Sequence, residues 1–177
     1  LVSVIVASYN HAGYLVRRME SLVAQTYADI EILVIDDCSP DNSWEVLQAY
    51  ASTPRVSLVR RERNGGWVEV SNQGVAMARG EFILFANCDD ACDEGMIKHL
   101  VEAIQSRPTV GLAFCRSRMV DETDGVLGDD FEVREQAFKD RCHADTLIGR
   151  NEMRRFLLHS CVIPNLSAAL MRRDAFE

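Results

Sequence analysis

The sequence predicts an α/β fold in which a mostly parallel sheet is covered by helices on both faces. Short β-branched or apolar runs alternate with helical patterns along the chain, which is typical of βαβ units. These apolar runs are continuous, so their strands are expected to be buried on both faces. Two of the runs end in paired aspartates, and open α/β sheets bind ligands beyond the carboxyl ends of their strands. The sequence therefore predicts a site at one edge of the sheet.

Five strands are predicted before the character of the chain changes, and the first, second and fourth have the pattern of buried strands. Their ranges are Val2–Ala7, Ile30–Ile35, Val56–Val59, Phe82–Ala86 and Val110–Cys115. The helices predicted after the first four strands are Ala12–Gln25, a helix capped at Asp41–Ser43 that ends near Tyr50, Trp67–Ala78 and Met96–Ile104. In the first helix Leu15, Met19 and Leu22 share an apolar face, and Arg17 and Arg18 are predicted to lie off it.

The last third of the chain carries weaker signals. Residues Asp121–Glu135 are acidic and show little periodicity, which predicts an exposed loop. A short helix is predicted at Glu152–Leu158 and a further strand at Leu166–Met171. No stretch resembles a linker or an internal repeat, so residues 1–177 are predicted to form a single domain.

Composition narrows the classes of function. A formal net charge of -8 argues against non-specific binding to nucleic acid or anionic membranes. No apolar run is long enough to span a membrane, and no signal peptide precedes the first strand. The 6 cysteines, which include Cys142, lack C-x-x-C spacing, and this favours reduced thiols in a cytoplasmic protein. Attachment to the inner face of the membrane through a longer parent protein stays open.

The clearest chemical signal lies in the stretch Arg79–Gly95, RGEFILFANCDDACDEG. Asp89 and Asp90 stand where a buried strand ends, and their oxygens suit a hard cation such as Mg²⁺ or Mn²⁺. One alternative is that an aspartate here only caps the next helix. Another alternative is a thiolate site for zinc that includes Cys88 and Cys92.

A second acidic pair, Asp36 and Asp37, ends the second strand. If the two strands lie close together, both pairs face one crevice, where carboxylates can accept hydrogen bonds from sugar hydroxyls or base N–H groups. The phosphate-binding motifs G-x-G-x-x-G after the first strand and G-x-x-x-x-G-K-[ST] are both absent from the sequence. A nucleotide is therefore expected to be held by carboxylates and a metal.

Several smaller signals are predicted to be structural. Arg60, Arg61 and Arg63 follow the third strand and are predicted to form a solvated basic loop end. Trp44 and Trp67 begin helices and are predicted to be core residues.

Taken together, these motifs resemble those of the family 2 glycosyltransferases, which have the GT-A fold. The matching segments follow one another through nearly the whole chain: Val2–Asn10, Ser21–Leu22, Gln25–Tyr27, Glu31–Ser39, Asn64–Gly66, Asn72–Gly74, Ala78–Ile83 and Asp89–Asp90. The resemblance implies a Rossmann-like domain that transfers a sugar from a nucleoside-diphosphate sugar, expected to be a UDP-sugar, to an acceptor hydroxyl. Cell-envelope or exopolysaccharide synthesis is the implied setting, and a saccharide, lipid-linked or protein acceptor stays open.

The resemblance also implies which residues hold the nucleotide. Ala7, Ser8 and Tyr9 are expected to line the base. Asp37, the second acid of its pair, is expected to accept a hydrogen bond from the base or the ribose.

The family's D-x-D position is occupied here by Asn87, Cys88 and Asp89. Asp89 is the expected ligand of Mn²⁺ or Mg²⁺, and Asn87 and Cys88 are assigned to the nucleotide side. Asp90 is expected next to them, towards the donor sugar or the acceptor, and is the catalytic candidate. Because Asn87 replaces the first acid of the motif, the site carries less negative charge and is expected to bind metal less tightly.

The general base of inverting family members is an acidic residue on a later segment. Since the sequence starts inside a strand and stops at Glu177, we expect a piece of a longer chain, truncated on its acceptor-binding side, with the base beyond residue 177. Such a piece is expected to bind the donor without efficient transfer. One alternative is a noncatalytic nucleotide-sugar-binding module, which Asn87 favours. The other is a sugar-phosphate nucleotidyltransferase, but Ser8–His11 does not supply the glycine- and arginine-rich loop it needs.

Overall fold

Strands and helices alternate along the computed structural model, which describes residues 1–123, 125–130, 145–159, 161–163 and 165–176. The strands in these residues are β1 (Val2–Ser8), β2 (Ile30–Asp36), β3 (Val56–Arg60), β4 (Phe82–Asn87), β5 (Leu112–Phe114), β6 (Arg118–Val120), β7 (Val126–Asp129) and β8 (Ala169–Arg172). The α-helices are α1 (Ala12–Val23), α2 (Ser43–Gln48), α3 (Gly66–Met77), α4 (Met96–Gln105) and α5 (Arg150–His159).

The chain divides into two compact units, Leu1–Phe114 with Leu166–Glu177, and Cys115–Asn165. A six-stranded sheet in the order β3-β2-β1-β4-β8-β5 forms the first unit. β1 pairs in parallel with β2 and with β4, and β2 pairs in parallel with β3. β8 runs antiparallel to both of its neighbours, β4 and β5. The predicted mostly parallel α/β sheet is therefore confirmed.

Both faces of the sheet are covered. Every residue of β2 is buried, and so is every residue of β1 except Ala7. Successive side chains of a strand point to opposite faces, so burial of consecutive residues requires cover on both sides. α3 packs on β1 and β2, where Gly74 allows close approach because a Cβ there would overlap the side chain of Ile5. This packing explains why a glycine stands inside the helix.

A buried polar network holds the starts of β1 and β2 together. Glu31 accepts hydrogen bonds from the Ser3 hydroxyl at 2.6 Å, the Arg79 backbone N–H at 2.7 Å and Arg79 Nε at 2.8 Å. Gly80 donates its backbone N–H to Ser3 Oγ at 2.8 Å. Burial alone would raise the pKa of Glu31, but the hydrogen bonds from Ser3 and Arg79 outweigh it, and the pKa lies below its ordinary 4.5. The ionised carboxylate therefore stabilises the fold.

Two segments differ from the sequence prediction. β6 and β7 pair as an antiparallel ribbon inside and beside the stretch that was expected to be a loop. That prediction is wrong because both strands are short and largely exposed, so they show no buried period-two pattern. The predicted strand Leu166–Met171 begins with a 3₁₀ turn, Leu166–Ala168, before β8. Positions 124 and 131–135 of the predicted loop, and Cys142, lie outside the described residues.

Other features agree more closely with the sequence. The remaining strand and helix ends lie within two residues of their predicted positions. Among the described helices, none has both the length and the apolar character needed to cross a membrane.

Glu31→Gln is expected to lower the free energy of unfolding at pH 7 by about 1–3 kcal/mol, because a buried charge-assisted network loses its anion. The pKa of Glu31 is lower in the folded state than its ordinary 4.5, so its contribution is present above that pH and is lost as the pH falls through the folded pKa. Urea denaturation between neutral pH and about pH 3 measures both effects. Glu20→Gln, on the exposed side of α1, is the matched control. An acid dependence of stability that is the same in Glu31→Gln and the native protein would contradict this assignment.

Candidate functional site

The order of the strands reverses at β1. After β1 the chain forms β2 and β3 on one side, and it then returns to form β4 on the other side. In the registers of these pairs Ser8 lies beside Asp36, and Ala7 lies beside Asn87. The carboxyl ends of the three strands therefore meet at one edge, which is where open α/β sheets bind ligands. Both acidic strand ends flank the end of β1, as the sequence suggested for adjacent strands.

Asp36 is used inside the fold. Its side chain is fully buried and accepts hydrogen bonds from the hydroxyl of Ser39 and, at 3.1 Å, from the Ser39 backbone N–H. Ser39 Oγ also accepts from the backbone N–H of Asn10 at 3.1 Å, which ties the loop after β2 to the loop after β1. Asp36 therefore orders the loops at the site edge, and its carboxylate is closed off from solvent.

Asp37 clamps the loop that leads into α3. Its carboxylate accepts hydrogen bonds from Arg61 Nη1 at 2.7 Å, from Gly66 N at 2.8 Å and from Gly65 N at 3.0 Å. The side chain is buried. Gly66 has a φ of +80°, which a glycine adopts without strain. The carboxylate predicted to contact the nucleotide thus has an internal role, and its bond to the base or ribose stays a prediction.

Arg61 was missed by sequence reasoning. Its guanidinium bridges Asp37 and Glu69, with Nη2 at 2.6 Å from the Glu69 carboxylate, and only 15% of its side chain is exposed. The prediction of a solvated basic loop end is therefore wrong for Arg61, while Arg63 is exposed as predicted. The available signal in the sequence was the position of Arg61, which directly follows β3 and can therefore meet the acidic residues that follow β2.

A cavity of about 490 Å³ opens beside this clamp. Its lining is basic and polar, and consists of Val59, Arg60, Arg61, Glu62, Arg63 and Gln73. Arg60 also lies with its guanidinium 5.6 Å from the ring centre of Trp44. The arginines of the cavity are paired with nearby acids, since Arg60 Nε lies 3.7 Å from Asp36 Oδ2 and Arg63 Nη2 lies 3.7 Å from Glu69 Oε2.

The end of β4 turns sharply at Cys88 and Asp89. Asn87 donates its backbone N–H to Ser167 Oγ at 2.8 Å, which fixes the last residue of the strand. The side-chain amide of Asn87 donates to Asp90 Oδ2 at 3.3 Å. Asp89 is exposed at the tip of the turn. Asn87, Asp89 and Asp90 thus present oxygen atoms on one short segment.

Cys88 lies on the inner side of this turn. It is buried, and its thiol donates a hydrogen bond to the carbonyl of Ala7 at 2.9 Å. Burial raises the pKa of Cys88 to about 12. The thiol is directed to the Ala7 carbonyl, and among the described residues it belongs to no group of three or more His, Cys, Asp or Glu side chains, which argues against the zinc alternative.

The donor set of the turn fits a hard divalent cation. Mg²⁺ and Mn²⁺ take oxygen ligands, and Mg²⁺ is commonly bound by one or two carboxylates together with substrate phosphates and water. Asp89 offers an exposed carboxylate, and Asn87 and Asp90 lie beside it. Within the described ranges, no group of three or more His, Cys, Asp or Glu side chains is arranged as a metal cage. A metal here would therefore be anchored chiefly by Asp89 and completed by the ligand.

Two aromatic residues stand at the same edge. Tyr9, directly after β1, is 43% exposed. Trp67, at the start of α3, is 49% exposed and has its ring centre 6.0 Å from that of Phe85. The prediction that Trp67 is a core residue is wrong, because the first turn of α3 lies at the rim of the sheet.

Arg18 is the second residue that sequence reasoning misplaced. It was predicted to lie off the apolar face of α1, but its side chain is fully buried. Leu15, Arg18, Met19 and Leu22 are all buried, and their spacing of three, one and three residues is that of a single helix face. This periodicity was the available signal. Desolvation lowers the pKa of Arg18 below its usual value, although the neighbouring Asp90 carboxylate acts in the opposite direction.

Fold and site together define a class of protein: a mostly parallel α/β domain with carboxylates at the strand-order reversal and no glycine-rich phosphate loop. The chain belongs to the family described as glycosyl transferase family 2, whose profile matches residues 3–177. The resemblance found in the sequence and the GT-A fold that it implied are both confirmed.

Individual relatives agree with this assignment. Glycosyltransferase GlyG of Streptococcus pneumoniae is 36% identical over 146 residues, which are 79% of this chain and 48% of GlyG. The succinoglycan biosynthesis protein ExoO of Rhizobium meliloti is 37% identical over 101 residues, which are 57% of this chain and 29% of ExoO. The chain therefore spans about half the length of GlyG and less of ExoO.

Solved structures match as well. TarS of S. aureus in complex with UDP-GlcNAc is 30% identical, with a TM-score of 0.56 over 59% of this chain and 31% of TarS. TarS in complex with UDP matches 97% of this chain and 46% of its own, with a TM-score of 0.71 at 24% identity. This second match shows that the two proteins share the fold.

Cys38→Gly is expected to stabilise the protein by about 0.5–1 kcal/mol, because Cys38 adopts a φ of +60° in the left-handed region, which L side chains disfavour. Thermal denaturation should show a melting temperature higher by about 1–4 °C. Cys38→Ala is the control, since it removes the thiol but keeps the Cβ, and it should not gain stability. Equal melting temperatures for Cys38→Gly and Cys38→Ala would show that the backbone is not strained here.

Proposed function

We propose that the chain is the donor-binding part of a glycosyltransferase that takes a nucleoside-diphosphate sugar, specifically a UDP-sugar, and transfers the sugar to an acceptor hydroxyl. The observation that carries the proposal is the convergence of Tyr9, the Asp37 clamp and the Asp89 turn at the strand-order reversal. The complex of TarS with UDP-GlcNAc, at 30% identity, supports a uridine nucleotide.

The nucleotide would lie along the edge between β2 and β4. Ala7, Ser8 and Tyr9 follow one another at the end of β1, and the exposed ring of Tyr9 offers a surface against which a base can stack. Asp37 fixes the backbone of Gly65 and Gly66 through its hydrogen bonds and so orders one wall of the site. We assign Asp37 to the base or ribose on this ground.

The diphosphate would lie by the turn after β4. Asp89 is the proposed ligand of Mn²⁺ or Mg²⁺, with the oxygen atoms of Asn87 and Asp90 beside it and the Cys88 backbone in the same turn. When bound, the metal neutralises the charge of the diphosphate leaving group. We assign Asp90 to the side of the donor sugar or the acceptor and propose it as the catalytic group of this segment.

The acceptor side is proposed to involve residues beyond position 177, including the general base. Similarity to ExoO, a protein named for succinoglycan biosynthesis, supports a role in exopolysaccharide or cell-envelope synthesis. The saccharide, lipid-linked or protein acceptors stay open. Among the described residues Cys38, Cys88 and Cys92 are free thiols, which supports a cytoplasmic location.

The noncatalytic alternative rests on one feature of the site. Asn87 places a neutral amide where the family's motif has an acid, and this amide donates to Asp90. A binding module would hold the nucleotide without turnover. Measuring sugar transfer from UDP-sugars in a chain extended beyond residue 177 separates a module from an enzyme.

Asp89→Asn is expected to weaken UDP binding in the presence of Mn²⁺ by about tenfold or more, because the site loses its exposed anionic ligand. Isothermal titration of UDP into the native protein and the variant, with Mn²⁺ and with EDTA, measures the effect. Glu94→Gln is the matched control, since it removes the same charge from an exposed position on the same loop. If neither UDP nor GDP binds the native protein in either condition, the proposed donor site is wrong.

A further inference from the structure

Arg18 is a fully buried cation whose guanidinium N–H groups are not all hydrogen-bonded. It has the largest side chain among the fully buried residues. Within the described part of the chain, none of its three guanidinium nitrogens makes a well-formed hydrogen bond, and the thiol of Cys92 lies near enough to be only a weak partner. A guanidinium carries five N–H donors, and burying such an ion without full pairing is costly. Hydrophobic packing of α1 therefore does not explain why an arginine occupies this position.

The helix that carries Arg18 is fastened to the segment after the Asp89 turn. Gln25 Nε2 donates to the carbonyl of Asp93 at 2.7 Å, and Gln25 Oε1 accepts from Ile97 N at 3.0 Å. The Cys92 thiol lies 3.7 Å from the carbonyl of Ser21 and 3.6 Å from its hydroxyl. Ser21 in turn donates its hydroxyl to the carbonyl of Arg18 at 2.8 Å. Helix α1 and the loop from Cys92 to Ile97 are thus held in a fixed relation.

Arg18 lies near the segment that forms the proposed metal site. The Asp90 carboxylate is close enough to its guanidinium to favour the charged form, and the side chains of Cys92 and Cys88 are also neighbours. Cys88 in turn lies within reach of the charges of Arg18, Asp89 and Asp36. Arg18 is thus a buried cation with Asp90 among its neighbours, while the side chain of Asp89 is exposed to solvent.

Two features make this end of the sheet less negative. Asn87 contributes no charge at a position where the resemblance implies an acid, and Arg18 adds a fixed positive charge. Inside a protein, where the effective dielectric constant is about 20, charges several ångströms apart still interact appreciably. A fixed cation repels a divalent metal at the carboxylates and attracts a diphosphate.

We propose that Arg18 is a positioning residue of the donor site, a fixed cation beneath the Asp89–Asp90 turn that weakens divalent-metal binding and supplies part of the attraction for the donor diphosphate. The proposal rests on the function proposed above. With Arg18 in place, nucleotide binding depends less on the metal than it would if only the carboxylates of the turn were present. Arg18 does so without touching the ligand, through its charge and through its place under the turn.

Neutralising Arg18 tests the proposal. Arg18→Met is expected to fold, since replacing a buried, unpaired ion by an apolar side chain of similar length is often neutral or stabilising. Arg18→Gln is a second neutral variant, and Arg18→Lys keeps the charge. Arg17→Met is the matched control, because it removes the same charge from the adjacent, exposed residue of α1.

Two titrations are made with each variant. Mn²⁺ binding to the protein alone is followed by electron paramagnetic resonance, and UDP binding is measured by calorimetry in EDTA and in Mn²⁺. The neutral variants are expected to bind Mn²⁺ about tenfold more tightly and UDP in EDTA about tenfold more weakly. Arg18→Lys and Arg17→Met should stay close to the native protein in both titrations. A purely structural role would not move the two affinities in opposite directions.

The outcomes separate this inference from the proposed function. If folded Arg18→Met and Arg18→Gln bind Mn²⁺ and metal-free UDP as the native protein does, the role of Arg18 is refuted while the donor site stands. If the native protein binds Mn²⁺ but no nucleoside diphosphate, the donor site is refuted, and tighter Mn²⁺ binding by the neutral variants still supports the repulsion of the metal by Arg18. If the native protein and the neutral variants all bind no Mn²⁺, the inference fails as well.

Discussion

The register of β1 against its two neighbours is the constraint on which the candidate site depends. Ala7 and Ser8 lie level with Ile35 and Asp36 on one side, and Ala7 lies level with Asn87 on the other. A shift by one residue would turn every side chain of a strand to the opposite face, and burial on both faces makes such a shift costly. The network around Glu31 secures the same register from the other end of the sheet. The positions of the acidic residues at the carboxyl ends of β2 and β4 are therefore fixed relative to the end of β1.

The acids at this edge have different tasks because they have different surroundings. Asp36 and Asp37 are buried and use their oxygens on Ser39, Arg61 and the backbone before α3. Asp89 is exposed and keeps its carboxylate towards the solvent. A buried carboxylate that is fully hydrogen-bonded organises loops, whereas an exposed one can exchange water for a metal or a ligand. Sharing a sheet edge thus does not give four aspartates the same chemistry.

Two arginines contribute positive charge near these acids, one close to the surface and one in the interior. Arg61 pairs directly with Asp37 and Glu69 near the surface. Arg18 lies in the interior, with Asp90 of the turn after β4 among its neighbours. Surface pairs are screened by water and salt, while a buried charge is screened much less. Together they offset part of the net charge of -8 at the place where an anionic donor would bind.

The sequence by itself determined the class of fold, most strand and helix ends, and the acidic strand ends that mark the site. These follow from local signals, since the periodicity of apolar residues and the chemistry at a strand's end are written in consecutive residues. Only the tertiary structure decided that Asp37 is held by Arg61 and Gly66, that Trp67 is exposed at the rim, and that Arg18 is buried. Each of these depends on contacts between segments distant in the chain. An arginine on an otherwise apolar helix face is assigned to the exposed side by its residue type, and its burial is evident only once the packing of the helix is known. Burial and pairing, which set the chemistry of a charged group, are properties of the packed molecule.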